Sequence, residues 1–188
     1  MSQLEILGVV LAMDSNTIEY RQLLAAMLNR LNPAKPLGTE LYQAVAKHSW
    51  NVYWESVAFR HNHKTGELEV FLIKRGDNDP DWQGYWHVPG TTLRPGDSSE
   101  DPKARIAKEY GTPVILEDVG CTGFGWHMMD VRSRGAGISF VFLTSLDEEP
   151  QIDESRGWFS VNNLPHPTVP AHVSEVIPHA LAAFLSGG

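Results

Sequence analysis

The stretch Gln83–Gly111, QGYWHVPGTTLRPGDSSEDPKARIAKEYG, contains a short apolar segment, a glycine turn and the acidic start of a helix. Pro89 and Gly90 end the apolar segment, and a glycine at a turn lets the backbone approach a ligand closely. Ser98 or Ser99 is in place to cap the helix, whose first turn carries acids that the helix dipole favours. The stretch therefore predicts a strand, a tight turn and a helix, an order that suits a metal and phosphate site.

Three charged residues of this helix, Asp101, Arg105 and Glu109, follow at intervals of four and therefore share one face. One interpretation is a solvent-exposed ladder of ion pairs, each worth about 0.3 to 0.5 kcal/mol and without functional meaning. The other is a magnesium site, in which Glu109 and the Gly90 carbonyl hold a hard cation against a diphosphate while Arg105 orients the acid. The spacing alone is compatible with both.

Composition limits the classes of function. The chain has 188 residues, 42% of them apolar, and a net charge of −8, which is ordinary for a globular protein with one packed core. Nucleic-acid binding depends on clustered lysine and arginine, and the sequence has no such run. With Cys121 alone no internal disulfide is possible, and no segment reaches the roughly 20 apolar residues of a membrane span. We therefore expect a cytoplasmic protein that binds neither nucleic acid nor membranes.

The residue pattern divides the chain near residue 49. Residues 1–48 predict two short helices, one capped by Asn16 or Thr17 and one from Glu40 to His48, as an extension suited to packing or to a homodimer contact. Residues 49–188 predict a domain of strands around one central helix, in which the first two strands form a hairpin. The strands are expected at Asn51–Phe59, Glu67–Arg75, Val114–Val119, Phe124–Asp130, Ile138–Leu146 and Gly157–Val161, and a closing helix at Ala171–Leu185. This order predicts an α+β sandwich.

The region around the quoted stretch carries the pattern of a known family. A strand ending in Trp86-His87-Val88-Pro89-Gly90, a loop, Gly96-Asp97 and a helix with Arg105 resemble the Nudix hydrolases. Their box runs Gly, five residues, Glu, seven residues, Arg-Glu, a bulky apolar residue, any residue, Glu-Glu, any residue, Gly and a bulky apolar residue. The segments VFLIKR, ISFVFL and DESRGWFSVNNLP follow in family order, so the resemblance covers about residues 50–186. It implies a Nudix-like α/β/α sandwich with a mixed central sheet.

The box in this chain is thinned, and its helical part has two possible alignments. Before the helix, Thr91 replaces the second glycine and Asp97 takes the place of the first glutamate, while Arg105 matches the arginine. In unbroken register beyond Arg105, Glu109 matches the first of the paired glutamates and Tyr110 replaces the second.

The second alignment assumes that one residue is missing from the helix. Ile106 then takes the apolar position, Lys108 and Glu109 fill the paired positions, and Gly111 falls on the closing glycine. We favour this alignment because it restores both an apolar core residue and a glycine that ends the helix. In either alignment Glu109 is the one helical carboxylate that remains of the metal cluster.

One branch of the family, the GDP-mannose mannosyl hydrolases, has a similarly thinned box. It shares the runs that appear here as Gln83-Gly84-Tyr85-Trp86 and Lys74-Arg75. This resemblance implies that Gly90 offers its carbonyl, and Glu109 and Asp97 their carboxylates, to Mg²⁺, with Mn²⁺ as an alternative. It also implies that Arg75 lies near the substrate.

The general base and the substrate contacts have several candidates. Where the branch has a glutamine and a histidine before its late tryptophan, this chain has Ile152 and Asp153, followed by Glu154. Asp153 or Glu154 would take a proton from the attacking water, with a solvated loop acid as an equal alternative. His127 is a further candidate, as a base or a phosphate contact, with a strand histidine satisfied by a backbone partner as the alternative. Tyr85 and Trp86 would stack on a base or sugar unless they belong to the core.

The sequence thus supports two hypotheses of function. The first is a Mg²⁺-dependent Nudix-type hydrolase that cleaves a nucleoside diphosphate linked to another moiety, with a nucleotide sugar favoured. The second is a catalytically inactive Nudix-like module that binds a nucleotide or a partner protein, which accounts directly for the missing glutamates.

Overall fold

The computed structural model describes residues 17–31, 41, 51–79, 81–123 and 137–187. The chain divides into two compact units, residues 1–37 and 38–188, and the predicted domain boundary at residue 49 stays a prediction. No helix among the described residues is long and apolar enough to cross a membrane.

The first unit contains helix α1 (Ile18–Leu28). Thr17 caps it, because its side-chain oxygen accepts a hydrogen bond of 3.2 Å from the Tyr20 backbone N–H. The predicted second helix, Glu40 to His48, lies outside the described residues except for Leu41, which is helical.

The second unit contains eight described strands in two sheets. The strands are β1 (Asn51–Val57), β2 (Phe59–His61), β3 (Leu68–Lys74), β4 (Trp86–His87), β5 (Gly90–Thr92), β6 (Val114–Gly123), β7 (Gly137–Leu146) and β8 (Arg156–Ser160). Helix α2 is Glu100–Tyr110, and a π-helical turn (His172–Val176) leads into helix α3 (Ile177–Ser186). The first sheet has the order β5-β1-β7-β6, with β1 parallel to β7. In the second sheet β3 pairs with β2, β4 and β8, in each case antiparallel.

The predicted hairpin of the first two strands is correct only at its tip. Phe59 to His61 pairs with β3, whereas β1 leaves for the other sheet, where it lies between β5 and β7. The residues from Glu55 to Ala58 are buried without interruption, which is typical of a strand that is covered on both faces and has a parallel neighbour. The chain changes sheets at Ala58, which separates the two strands.

Helices α2 and α3 cover opposite faces of the second sheet. Val70 and Leu72 of β3 belong to one buried cluster with Ile177 and Ala180 of α3. Phe71, between them on the chain, belongs to a second cluster that contains Ile106 and Tyr110 of α2. Since successive side chains of a strand point to opposite faces, the sheet lies between α2 and α3. The predicted α+β class, with an α/β/α sandwich and a mixed sheet, is confirmed.

Candidate functional site

Helix α2 begins with a local capping arrangement. Ser99 is the residue before the helix, but its side chain makes no capping hydrogen bond. Ser98 instead donates from its backbone N–H (2.8 Å) and its hydroxyl (2.6 Å) to the Asp101 carboxylate. These bonds lower the pKa of Asp101. Asp101 therefore closes the first turn, and the ladder of ion pairs along the helix that was one interpretation of the spacing does not form at this residue.

Arg105 pairs with Asp97, which precedes the helix. Its Nη2 lies 2.6 Å from one Asp97 oxygen and its Nη1 3.1 Å from the other. These hydrogen bonds, and one from the Arg94 backbone N–H, lower the pKa of Asp97 to about 2. Arg105 also donates to the Thr91 hydroxyl at 2.9 Å. The arginine therefore ties the loop before α2 to strand β5, immediately after Gly90.

The C-terminal end of α2 is anchored in the core. Ile106 and Tyr110 are fully buried, and Gly111 ends the helix with a φ of 77°. Ile106 and Gly111 are the apolar residue and the closing glycine that the favoured alignment of the box restores. The Tyr110 hydroxyl donates to the Ser56 carbonyl at 3.1 Å and accepts from the Ser56 hydroxyl, while burial raises the pKa of Tyr110. The anchored tyrosine fixes the position of its neighbour, Glu109.

Glu109 points from this end of the helix to the connection between β4 and β5, Val88–Gly90, which we call the Gly90 turn although Gly90 itself begins β5. Its Oε2 accepts a hydrogen bond of 2.9 Å from the Gly90 backbone N–H. Burial raises the pKa of Glu109 to about 7, although the Gly90 hydrogen bond and the charge of Arg75 both act to lower it. A carboxylate in this position is costly to charge without a cation beside it.

Arg75 lies just after β3 and is close to Glu109. Its Nη1 donates to Asp79 at 3.0 Å, and its backbone N–H donates to the Tyr85 carbonyl at 2.9 Å. Its Nε is buried and has no hydrogen-bond partner among the described residues. Because its charge lowers the pKa of both Glu109 and His172, the guanidinium is part of the same group of residues.

Glu55 and His172 complete this group, and neither was predicted. Glu55 is 7% exposed and pairs with Gly90 across strands β1 and β5. A Cβ on Gly90 would overlap the Glu55 carboxylate and lie 2.8 Å from the Trp54 carbonyl oxygen. His172 accepts a hydrogen bond of 3.1 Å on Nδ1 from the Val88 backbone N–H. Burial lowers its pKa to about 3, so the ring is neutral and its 3.9 Å approach to Glu55 is no ion pair.

Comparison with solved structures identifies the fold, whereas no family model and no curated protein matches the sequence. The NUDIX domain of Shewanella oneidensis NrtR, complexed with ADP ribose, matches with a TM-score of 0.56 and 19% identity over 85% of this chain and 97% of that chain. A mutT/nudix family protein from Listeria innocua matches with a TM-score of 0.52 and 17% identity over 73% and 95%. The chain has a Nudix-like fold.

A third Nudix-like match is only partial. Shewanella oneidensis NrtR complexed with a 27mer DNA has a TM-score of 0.56 and 17% identity over 72% of this chain. The matched region spans 62% of that NrtR chain, which is less than two thirds of its length.

The other predicted site residues of the Nudix-like domain have no described contact with Gly90 or lie outside the described residues. Tyr85 packs on Trp82 with ring centroids 5.2 Å apart, and Trp86 packs on Phe159 at 4.7 Å beside the core. The ring of Trp86 thus packs beside the core, as expected if it has a structural role and does not stack on a substrate. His127 lies outside the described residues.

The two candidate bases lie on an exposed turn before β8. Asp153 accepts from the Ser155 hydroxyl at 2.6 Å and from Arg156 Nε at 2.8 Å, and these contacts lower its pKa. Glu154 is exposed. Arg156 also donates to the Glu109 carbonyl at 3.3 Å, so this turn is tied to the end of α2.

The oxygen donors near Gly90 suit a divalent cation that takes few ligands from the protein. Within the described ranges, no three or more His, Cys, Asp or Glu side chains form a group that would hold a metal ion. Mg²⁺ usually takes only one or two carboxylates from a protein and completes its shell with waters and substrate phosphates. The Gly90 turn with Glu109 fits a cation held in that way, and the raised pKa of Glu109 marks a carboxylate that a cation would stabilise.

Sequence reasoning missed Glu55 and His172 for different reasons. Glu55 lies in the strand NVYWESV, where a lone acid among aromatic and β-branched residues was an available signal. His172 is 82 residues beyond Gly90, and no local spacing connects the two. Only the packing of the π-helical turn against the Val88 backbone brings it to the site.

Proposed function

We propose that the chain is a Nudix-type hydrolase that cleaves a nucleoside diphosphate linked to another moiety, with Mg²⁺ as cofactor and Mn²⁺ as its alternative. Glu109 is the observation that carries the proposal. Its carboxyl group is buried at a glycine turn, its pKa is raised to about 7, and the Arg75 guanidinium is near. A divalent cation would neutralise charge on the diphosphate and help to activate water.

The chain's own residues have separable roles in this proposal. Glu109 and the Gly90 carbonyl would hold the cation, and Arg75, with its buried Nε, would contact the diphosphate. Arg105 positions the turn through Asp97 and Thr91. The role of Asp97 as a further ligand stays a prediction. Both of its oxygens already accept hydrogen bonds from Arg105, which makes Asp97 less available to a cation than Glu109.

The substrate class is inferred from the resemblance and from one neighbour. ADP ribose, which the NUDIX domain of NrtR binds, is a nucleoside diphosphate linked to a sugar, and this supports a nucleotide sugar as the leading class. The GDP-mannose mannosyl hydrolase branch stays a prediction. So do the absence of nucleic-acid binding, which the net charge of −8 favours, the homodimer and the cytoplasmic location.

Glu154 is the better of the two candidate bases. Asp153 already accepts from Ser155 and Arg156, and its pKa is lowered, so it has little tendency to take a proton near neutral pH. Glu154 is exposed one residue later. We expect Glu154→Gln to reduce turnover more than Asp153→Asn does.

The alternative function is an inactive nucleotide- or protein-binding module. Helix α2 contributes a single acid, Glu109, to the glycine turn, and the described residues contain no metal cluster. Both facts suit binding without catalysis, so the experiment must separate binding from turnover.

A turnover screen with Mg²⁺ or Mn²⁺ tests the proposal. The substrates are nucleotide sugars, ADP-ribose, dinucleoside polyphosphates and nucleoside triphosphates. Glu109→Gln is the inactivating variant, and Glu100→Gln is the matched control on the exposed start of the same helix. We expect metal-dependent turnover that the control keeps and Glu109→Gln loses. A substrate that raises the melting temperature without being turned over would favour the binding module.

A further inference from the structure

We propose that Glu55 supplies a second carboxylate to the cation at the Gly90 turn, from strand β1 instead of helix α2, and that His172 is its positioning residue. This inference rests on the proposed function, because it concerns the same cation. It goes beyond that function in naming a ligand that lies outside the box.

Glu55 is buried where a carboxylate is costly. Its residue is 7% exposed, and it lies on β1 between the neighbouring strands β5 and β7. The Ser139 hydroxyl donates to its Oε1 at a long 3.5 Å, and the neutral ring of His172 lies 3.9 Å from the same oxygen. A buried carboxylate carries a desolvation penalty. A bound cation would offset that penalty.

Glu55 and Glu109 approach the same residue from two elements. Glu109 accepts from the Gly90 N–H, and Glu55 fills the space that a side chain at Gly90 would need. Gly90 thus keeps a path open along which the Glu55 carboxylate reaches the turn. Two carboxylates and a backbone carbonyl are hard oxygen donors of the kind that Mg²⁺ prefers.

This arrangement makes up for the thinned box. A helix with one acid at its C-terminal end offers one carboxylate to the turn, and the neighbouring residue, Tyr110, is committed to the core. Strand β1 passes on the other side of Gly90, in register with it at Glu55. The second acid therefore comes from a strand that the box does not include.

His172 is held in the orientation that this role requires. Because Nδ1 accepts from the Val88 N–H, the ring carries its proton on Nε2, the atom that faces Glu55. A neutral ring adds no positive charge that would repel a cation. His172 also begins the π-helical turn. Such turns are rare in proteins, and many of those that occur lie at functional sites.

Mn²⁺ binding tests the inference directly. Mn²⁺ alone would be titrated into the full chain, and the free ion followed by electron paramagnetic resonance. The variants are Glu55→Gln, Glu109→Gln and Glu117→Gln, the last being a control on the exposed side of β6. We expect Glu55→Gln and Glu109→Gln each to weaken Mn²⁺ binding by at least about tenfold, because substitution of residues that only support metal ligands already costs about that much affinity. The Glu117→Gln control should bind Mn²⁺ as wild type does.

His172 and the fold of the variants need their own measurement. His172→Asn keeps an acceptor for the Val88 N–H but has no group in the place of Nε2, so we expect a smaller, few-fold loss of Mn²⁺ affinity with an unchanged melting temperature. Should Glu55→Gln fail to fold, Glu55→Asp keeps the charge and shortens the reach, and we expect it to bind Mn²⁺ more weakly than wild type.

The outcomes separate the inference from the function on which it rests. Wild-type affinity in folded Glu55→Gln or Glu55→Asp, with loss in Glu109→Gln, would overturn the role of Glu55 and leave the hydrolase intact. Wild-type protein that neither binds Mn²⁺ nor turns over any substrate would overturn both.

Discussion

The acids at the two ends of helix α2 have pKa values that are shifted in opposite directions. Before its first turn, Asp97 is paired with Arg105, and its pKa falls to about 2. At its last turn, Glu109 is buried against the Gly90 N–H, and its pKa rises to about 7. Both carboxylates match positions of the Nudix box by resemblance, but their surroundings give them opposite pKa shifts.

The difference shows which acid is available to a ligand. Asp97 has its charge satisfied by a guanidinium and a backbone N–H, so it stabilises the loop in the charged form without further help. Glu109 has one backbone hydrogen bond and the charge of Arg75 nearby, but its desolvation penalty exceeds the effect of both. An acid of the second kind gains most from a cation.

The largest expected effect is on the pH dependence of stability at Glu109. Its pKa is about 7 in the folded protein, against 4.5 for an unperturbed glutamate, so the folded state holds the proton more tightly. The stability from this group is therefore present below pH 4.5 and lost as the pH rises through 7. Relative to Glu109→Gln, wild type should lose up to about 3 kcal/mol of unfolding free energy over that range. Urea unfolding of both proteins from pH 4 to 8.5 measures it.

Two controls sharpen this test. Glu100→Gln, exposed at the other end of the helix, should follow the wild-type curve. Mg²⁺ or Mn²⁺ added at pH 8 should restore stability to wild type and leave Glu109→Gln unchanged. Parallel pH curves for wild type and Glu109→Gln would contradict the raised pKa of the buried Glu109 carboxyl group.

A smaller effect is expected from Gly90→Ala, which disturbs only the C-terminal site. The new Cβ would overlap the Glu55 carboxylate and crowd the Trp54 carbonyl, and overpacking of this kind costs about 1 to 3 kcal/mol. Gly157→Ala is the matched control, since a Cβ there meets its nearest neighbours at an ordinary 3.8 Å. Chemical unfolding at pH 7 compares the two. Equal stability of the alanine variants would mean that Glu55 does not fill the space beside Gly90.

Local patterns predicted much of the fold because their causes are local. Thr17 caps a helix with its own side chain, and Gly111 ends one with its own backbone angle. The path of β1 was not predictable in the same way. Its pairing with β7 joins residues 86 positions apart, such as Asn51 and Gly137, and a non-local contact leaves no spacing signal in the chain.

The residues around Gly90 also divide into those that are close in sequence and those that are distant in sequence. Glu109 and Gly90 belong to one continuous stretch, and the structure joins them by a hydrogen bond. Glu55 precedes that stretch and His172 follows it, and they reach the turn through sheet register and helix packing. Asp97 illustrates the converse, because a position matched to a family pattern became the partner of Arg105. Resemblance indicates the place of a site, whereas three-dimensional neighbours decide which acids serve it.

The smallest expected effect concerns the N-terminal end of α2. Asp97 has a pKa of about 2, below the 3.8 of an unperturbed aspartate. Its ion pair therefore contributes stability above pH 3.8, and this contribution is lost as the pH falls through 2. Asp97→Asn keeps an acceptor for the Arg94 N–H but lacks the charge that pairs with Arg105. Wild type should therefore lose stability relative to the variant only between about pH 4 and pH 2, the reverse of the Glu109 trend. Partly exposed ion pairs contribute little, so we expect a slight change in the acid unfolding midpoint by circular dichroism. A difference that grew above pH 5 would place Asp97 in surroundings like those of Glu109 and abolish the contrast between the two ends.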